Sequence, residues 1–566
     1  MNRLSILVPV VCLLLSAQGI YSGEPVQMDL LNVMQQELDR SVSNLENAAE
    51  FPLYYLQYAV TDQRKLNIAV KNGGLEAPNS SVRRYLDVDL RLGSVELDNT
   101  HEIRGGNWRD NYSARRIVDF PLDADEDAIR AALWNETEYK FRKGLERYTK
   151  VLANRQVKVE EEDLSNDFSA AEPQQYSEDF EYAVVDTAHW QSILKKVGTY
   201  FSGYPFVIKS SASFAVTEET TFMVNSEGSR LKHSNRYIRF ILNINGMAED
   251  GMELSRYETW AAASMNNLPE EAEIMATAER LVEELESLIG APVVNPYIGP
   301  AILRNRASGV FFHEIFGHRL EGHRQKSESE GQTFTKMLGE EILPVIINVY
   351  DDPTITQFKG VDLRGAYKFD DEGVRSRRIT VVEKGVLKNF LTTRSPIENF
   401  PESNGHARRQ FGRATVARMG NTIVQSDTAV SFDRLREMLI EEIKRQEKPY
   451  GLIFNDISGG FTMTGRRGPQ AFKVKPLLVT RVYADGSPDE VVRGVDIVGT
   501  PLTSFSKILM TADDDAVFNG TCGAESGMVP VSAISPSILV SEIEVEKVRK
   551  GQEKPPILPH PGHDKK

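Results

Sequence analysis

Phe311-Phe312-His313-Glu314-Ile315-Phe316-Gly317-His318 places a His-Glu pair, and a second His five positions after the first, inside an apolar run. Imidazole is the commonest protein ligand for a divalent transition metal, and a Glu beside a liganding His is placed to take a proton from a metal-activated water. The stretch reads as the helix of a catalytic zinc site. Its spacing is unusual. In a His-Glu-x-x-His helix the imidazoles lie four apart on one face, whereas five residues at 3.6 per turn set them roughly 140° apart. A π-bulge would restore a common side, and Gly317 eases such a distortion. Alternatively the helix ends near Gly317 and His318 turns in from a loop. The sequence leaves both open.

Downstream of this stretch the pattern is strand-rich, over residues 344–350, 379–386 with Glu383-Lys384-Gly385 as a turn, and 476–483. A helix over residues 432–445 interrupts it, with Leu435, Met438, Leu439 and Ile443 as its buried stripe. Upstream, a helix started by Pro269 and stopped by Gly290 carries Ile274, Ala278, Leu281, Leu285 and Leu288 on one side. A domain boundary is expected just after it, near Val293. Farther back, Leu86, Val88, Leu90 and Leu92 alternate with polar residues as in a strand with one wet face, and Phe240, Leu242 and Ile244 do the same. Residues 54–60 and 66–70 are expected as further strands, with Asn72-Gly73-Gly74 as a turn, and residues 28–47 and 125–154 as helices.

Strands outside a βαβ rhythm predict an α+β protein of two domains. The N-terminal one, residues 24–292, combines helices with an antiparallel sheet. It holds an acid-rich segment near residues 157–182, headed by Glu160-Glu161-Glu162-Asp163 and expected to be a mobile surface insertion. The C-terminal one, residues 293–550, is β-rich and carries the zinc-site helix. A Pro-rich tail over residues 551–566 is expected to be disordered, its His560 and His563 bystanders.

At 566 residues, 41% hydrophobic and 26% charged, the chain has the composition of a soluble globular protein too long for one core. Residues 1–23 resemble a secretory signal: Arg3, an apolar run over residues 4–17 too short to span a bilayer comfortably, then small residues. The mature protein is therefore expected to be exported, periplasmic or extracellular, with no stable membrane insertion after cleavage; a retained signal anchor is the alternative. Without that segment 65 basic residues face 81 acidic ones, a balance that repels phosphate backbones, so no nucleic-acid partner is expected.

Of the two cysteines, Cys12 lies in the signal segment, so Cys522 has no internal disulfide partner. It could be a small buried hydrophobe. Its neighbourhood, Asn519-Gly520-Thr521-Cys522-Gly523, instead predicts a turn with close backbone approach, a setting common for metal-binding thiolates. Two imidazoles and this thiolate would supply the three protein ligands of an open zinc site, with Glu314 as general base. Glu321, about one turn beyond His318, could hold that imidazole through its second nitrogen, or be a solvated helix-end acid. His323 repeats the five-residue spacing but is a poorer third donor than Cys522.

The run His313-Glu314-Ile315-Phe316-Gly317-His318-Arg319-Leu320-Glu321-Gly322 resembles the signature of the TldD/PmbA metallopeptidase family, in its metal-binding TldD-type branch. Other blocks agree in order: Phe369-Asp370-Asp371-Glu372-Gly373, Lys384-Gly385-Val386-Leu387, Asn404-Gly405, Arg418-Met419-Gly420-Asn421, Asp456-Ile457-Ser458-Gly459-Gly460, and Cys522-Gly523-Ala524-Glu525 with Val529-Pro530 behind it. The resemblance covers the second half well and the first weakly. It implies zinc held by His313, His318 and Cys522, Glu314 as catalyst, and cleavage of unfolded or short peptides by a homodimer or by a heterodimer with a paralogue lacking the ligands. This chain departs from the family in its export signal, its acidic segment and its tail, and in His323, which stands where Asp is common. The alternative function is a non-catalytic, zinc-containing partner subunit of a peptidase complex. The intact Glu314 counts against it, because a structural site needs no base. A weaker third reading is a zinc hydrolase acting on a non-peptide amide.

Overall fold

The computed structural model describes residues 29–46, 48, 50–105, 116–156, 163–466, 468, 471–548 and 558. The expected signal segment, its Cys12, residues 157–162 of the acidic segment, and the tail apart from Leu558 lie outside them. Among the described residues no helix is long and apolar enough to cross a membrane.

The first half is built on an antiparallel sheet of long strands: β1 (Leu53–Lys71), β2 (Asn79–Leu92), β3 (Lys209–Asn225), β4 (Arg230–Met247) and β5 (Glu253–Ala262), in the order β2-β1-β3-β4-β5. Residues 54–60 and 66–70, expected as two strands, are one. The polar stretch Asp62-Gln63-Arg64-Lys65 between them does not break the chain, because every one of its residues is paired with β2 on one side and β3 on the other. The side chains find partners too, Arg84 of β2 holding Asp62 and Gln63 donating to Glu219 of β3 at 2.6 Å. Helices α1 (Leu30–Leu45) and α2 (Glu126–Arg155), capped by Asp29 and Asp125, pack on the sheet through Met34, Leu38, Ile129, Leu133 and Phe141. The other end of the sheet is covered by α3 (Thr187–Ser202), which the sequence reading missed, and by α4 (Glu271–Gly290).

The segment expected to be a mobile acidic insertion is packed from residue 163 onward. Phe168 is buried between the guanidinium groups of Arg91 and Arg394, 3.8 and 4.0 Å from its ring centre, with the Tyr55 ring at 4.8 Å. Asp167 accepts from the Asp98 backbone at 2.8 Å and lies 2.7 Å from His101 Nδ1. Residues 175–177 add a short parallel strand to β4. Of its carboxylates, Asp163, Asp167 and Glu178 accept from backbone amides, while Glu172, Asp179 and Glu181 face solvent.

The second half is β-rich and uses two sheets. One contains β6 (Tyr297–Leu303), β10 (Gly451–Thr462), β11 (Phe472–Val482), β12 (Val495–Gly499), β13 (Ile508–Ala512) and β16 (Ile538–Lys547). The other contains β7 (Ile347–Asp351), β8 (Ile379–Glu383), β9 (Asn421–Ser426), β14 (Ala516–Ala524) and β15 (Gly527–Ser535). In the first, the pairings β6-β10-β11-β12-β16-β6 close into a ring, so these strands have no open edge there. The helix α5 (Asn305–Ile315) lies between the ring and the β14–β15 hairpin, and α6 (Phe432–Arg445) covers the ring's outer side. Gly309 allows α5 to approach β15, since a Cβ there would stand 3.3 Å from Ala533. Phe311, Phe312 and Phe316 meet Phe505 to form the aromatic centre of the largest core.

Phe168 has no solvent-facing side to relax toward, so Phe168→Ala is expected to cost roughly 3–5 kcal/mol of stability. Urea unfolding of the two proteins followed by circular dichroism measures it.

Candidate metal centre

From Ala307 to Gly322 every residue is buried except Glu314, which is partly exposed. A helix sunk this deeply must satisfy its imidazoles internally. It does so by ending: the last α-helical residue is Ile315, Phe316 donates to the Phe312 carbonyl at 2.9 Å with φ −103° and ψ −53°, and Gly317–Arg319 form a tighter turn. Of the two distortions open in the sequence, the chain adopts the ended helix. His313 and His318 then face each other, their ring centres 5.2 Å apart and inclined by 76°.

Gly317 is required by space. A Cβ there would meet Met419 Sδ at 2.0 Å. Arg319 closes the turn, donating to the Ile315 carbonyl at 2.9 Å, to Thr462 Oγ1 at 2.6 Å and to the Met463 carbonyl at 3.1 Å. A cation on the last helical carbonyls suits the negative end of the helix dipole.

Cys522 enters from the β14–β15 hairpin, where it pairs with Val529. The expected turn at residues 519–523 is a strand; the reversal comes later, between Ala524 and Gly527, whose φ is 88°. Gly520 and Gly523 serve room instead of turning, since a Cβ would strike Phe518 at 2.7 Å or Met528 Sδ at 2.9 Å. Cys522 Sγ lies 3.4 Å from His318 Nε2, and one donor atom from each of His313, His318 and Cys522 falls within 4.8 Å of the others.

Electrostatics favour a thiolate among these groups. Burial pushes the Cys522 thiol up, but His318, His313 and Arg418 together hold it well below the usual thiol range. Burial likewise opposes charge on His318, and the thiolate and Glu321 override it, so His318 is raised well above the ordinary imidazole value. His313 is raised as well, against burial, chiefly by Cys522. Two imidazoles and a thiolate with no polar escape are a fitting donor set for a soft divalent cation, and His313 Nδ1, buried without a hydrogen-bond partner, fits the same purpose.

Glu321 is not a solvated acid. Fully buried, it sets Oε1 3.2 Å from His318 Nδ1 and accepts from Arg324 Nε on Oε2 at 2.8 Å. His323 is turned away from the cysteine and pairs through Nε2 with Glu525 in the hairpin turn. Glu314 stands beside a glycine strand: a Cβ on Gly460 would come within 3.0 Å of Glu314 Cγ. Arg418 carries a role that its sequence context does not announce. Wholly buried, it donates to the Cys522 carbonyl at 2.9 Å, to Ser526 Oγ at 2.8 Å and to the Gly527 carbonyl at 3.0 Å, with Nε 3.4 Å from Glu321 Oε1. It ties the cysteine strand to the acid behind His318. Only its tertiary partners, about a hundred residues away on either side, identify it.

Two measurements test this geometry. Gly317→Ala should lose about 1–3 kcal/mol through overpacking against Met419, and adding Met419→Ala should return part of the loss, read as a non-additive double-mutant cycle in urea unfolding. Glu321 is lowered to about 2 from its usual 4.5: burial pushes it up, and His318, Arg324 and Arg418 outweigh that. Its ionised form is favoured by folding, so its contribution is complete above about pH 4.5 and is lost as pH falls toward 2. The stability gap between the native protein and Glu321→Gln should therefore narrow across that window in unfolding curves taken at a series of pH values.

Comparison with known proteins adds the family. Residues 297–547 match the model described as the PmbA/TldA metallopeptidase C-terminal domain. A protein named metalloprotease from Methanothermobacter thermautotrophicus is 27% identical over 344 residues, 59% of this chain and 69% of the relative. A zinc metalloprotease TldD homolog of Saccharolobus solfataricus is 27% identical over 269 residues, covering 47% of this chain and 55% of its own length. Beyond the matched domain, the solved structure of TldE from Thermococcus kodakarensis has the same fold, at a TM-score of 0.58 and 14% identity over 91% of this chain and 100% of that one. The ended helix, the hairpin cysteine and the strand arrangement around them thus lie in the stretch of the chain, residues 297–547, that matches the PmbA/TldA metallopeptidase C-terminal domain.

Proposed function

We propose that this protein is an exported zinc metallopeptidase that hydrolyses unfolded or short peptides, with His313, His318 and Cys522 as metal ligands and Glu314 as general base. One observation carries the reading: along sixteen buried residues the single side chain left partly exposed is an acid, and it is bonded in sequence to an imidazole that faces a thiolate. A purely structural site gains nothing from that placement. The relatives named as metalloproteases, one of them as a zinc metalloprotease, support the peptidase class. Export rests on the composition of residues 1–23, and a homodimer or a pairing with a metal-free paralogue rests on the family resemblance.

A zinc ion held by these ligands supplies Lewis acidity toward a peptide carbonyl and lowers the pKa of an attacking water. The chain's own groups do the rest. Glu314 takes the proton on a carboxylate oxygen and returns it to the leaving amine. Glu321 Oε1, 3.2 Å from Nδ1 of His318, favours a proton on that nitrogen and would leave Nε2 free to donate its lone pair. Arg418 holds the hairpin so that Cys522 stays within reach of both imidazoles. The thiolate gives more charge to the ion than a third imidazole would, so turnover should be slow.

The test is a zinc assay and a casein or fluorogenic-peptide assay on the purified protein and two variants. Glu314→Gln should keep its zinc and lose about 10²–10⁴ of the rate. Cys522→Ser should lose much of the zinc, and chelation should abolish cleavage in the native protein. Cleavage undiminished in Glu314→Gln would sink the catalytic reading and favour the binding-subunit alternative.

A further inference from the structure

A cleft of about 2020 Å³ opens between the two halves, bounded by β2, α2 and segments of the second half that include His323, Met463 and Gly465. None of the proposed ligands lines it, nor does Glu314. Its most regular wall is α2. Lys140, Lys143, Arg147 and Lys150 follow one another at three- and four-residue steps, which places them on a single helix face, and all four line the cleft. At about 1.5 Å per residue the stripe runs about 15 Å. Lys143 is engaged by Glu146 at 2.7 Å. Lys140 and Lys150 have no carboxylate at ion-pair distance among the described residues. In a protein of net charge −15, cations gathered on one wall of this cleft set a local field opposite in sign to the whole.

One strand end runs from beside the candidate metal centre to the wall of the cleft. Gly460 of β10 lies against Glu314, Thr462 is held by Arg319, and Met463 lines the cleft. Three residues of extended chain span about 10 Å. A peptide lying along this segment with a bond beside Glu314 would therefore carry its residues three to six positions away into the cationic cleft.

We propose that this cleft is a subsite for acidic side chains of an extended peptide substrate, several residues removed from the cleaved bond; the proposal rests on the peptidase reading above. The wall also presents Asp89, Glu102 and Glu328, which repel a continuous polyphosphate but leave gaps for isolated carboxylates. That mixture favours an acidic polypeptide over a nucleic acid.

The probe is a fluorescein-labelled dodecapeptide rich in Asp and Glu on one side of a neutral centre, beside its twin with every acid replaced by the matching amide. Binding is read by anisotropy with full-length Glu314→Gln protein, and cleavage with the native protein. The acidic peptide should bind at least about tenfold more tightly than the amide twin at about 50 mM salt, and most of that ratio should vanish at about 500 mM. Lys140→Glu with Lys150→Glu should bring the ratio near unity, and the milder pair Lys140→Gln with Lys150→Gln should reduce it partway, circular dichroism confirming that both are folded. Equal affinity for the twins overturns the proposal, as does a ratio untouched by charge reversal, or a single-stranded oligonucleotide that binds more tightly with the same sensitivity to both substitutions. A ratio that holds without any cleavage keeps the acidic subsite and removes the peptidase reading; cleavage without a ratio does the reverse.

Discussion

A helix enclosed by two sheets has to pair or hide every polar group it carries, and α5 is such a helix. From Ala307 onward its neighbours leave one exit, at Glu314. His313 is buried, so most of its environment comes from the chain itself, which provides it by breaking the helix at Phe316 and folding His318 back toward a strand more than two hundred residues later. Close packing makes that break specific. A side chain at Gly317 would have to displace Met419, and one at Gly309 would crowd Ala533, so both glycines set how closely α5 and its end pack.

Around this convergence lies a set of buried charges with few choices. Arg418 and Glu321 are fully enclosed, and Arg324 reaches Glu321, Glu330 and Glu525 at 2.8, 3.1 and 2.9 Å. Ions so placed bring several kcal/mol of desolvation each, so they contribute little net stability, yet removing one partner strands the others. Their effect is positional. Arg324 joins the helix end to the hairpin turn through Glu525, and Arg418 joins Glu321 to the Cys522 carbonyl, so two segments distant in sequence keep one register.

How much of this was legible in the sequence depended on whether the signal was local. The helices at residues 271–290 and 432–445 were readable because a 3.6-residue apolar stripe sits within the element itself, and that at 126–155 because its long charged run does. The alternation in β2 was readable for the same reason. Residues 62–65 of β1 looked like a break because four polar side chains in a row normally mean solvent; their partners Arg84 and Glu219 come from two other strands. Residues 163–182 looked mobile because acids outnumber aliphatics, while the arginines that hold Phe168 and the amides that bond Asp167 and Glu178 lie far along the chain. At the centre, the residue types in His313, Glu314, His318 and Cys522 announced metal chemistry. The strand at Cys522 and the part played by Arg418 are long-range facts, without a local trace.

The charge pattern also constrains how such a centre could fill. Each group favours the charged form of the next: the two imidazoles and Arg418 lower the thiol, the thiolate raises both rings, and Glu321 raises His318 further. A cation can be accepted only by imidazoles that have given up their protons, so the ion must displace protons from groups that the fold itself makes more basic. The same pairing that keeps Cys522 deprotonated and ready as a ligand therefore sets up a competitor for the site. Glu321 bears on that competition, because the carboxylate that raises the basicity of His318 would also orient the ring toward an ion. One buried acid thus serves both states, and this accounts for its complete enclosure between two arginines rather than a place at the solvent-facing end of the turn.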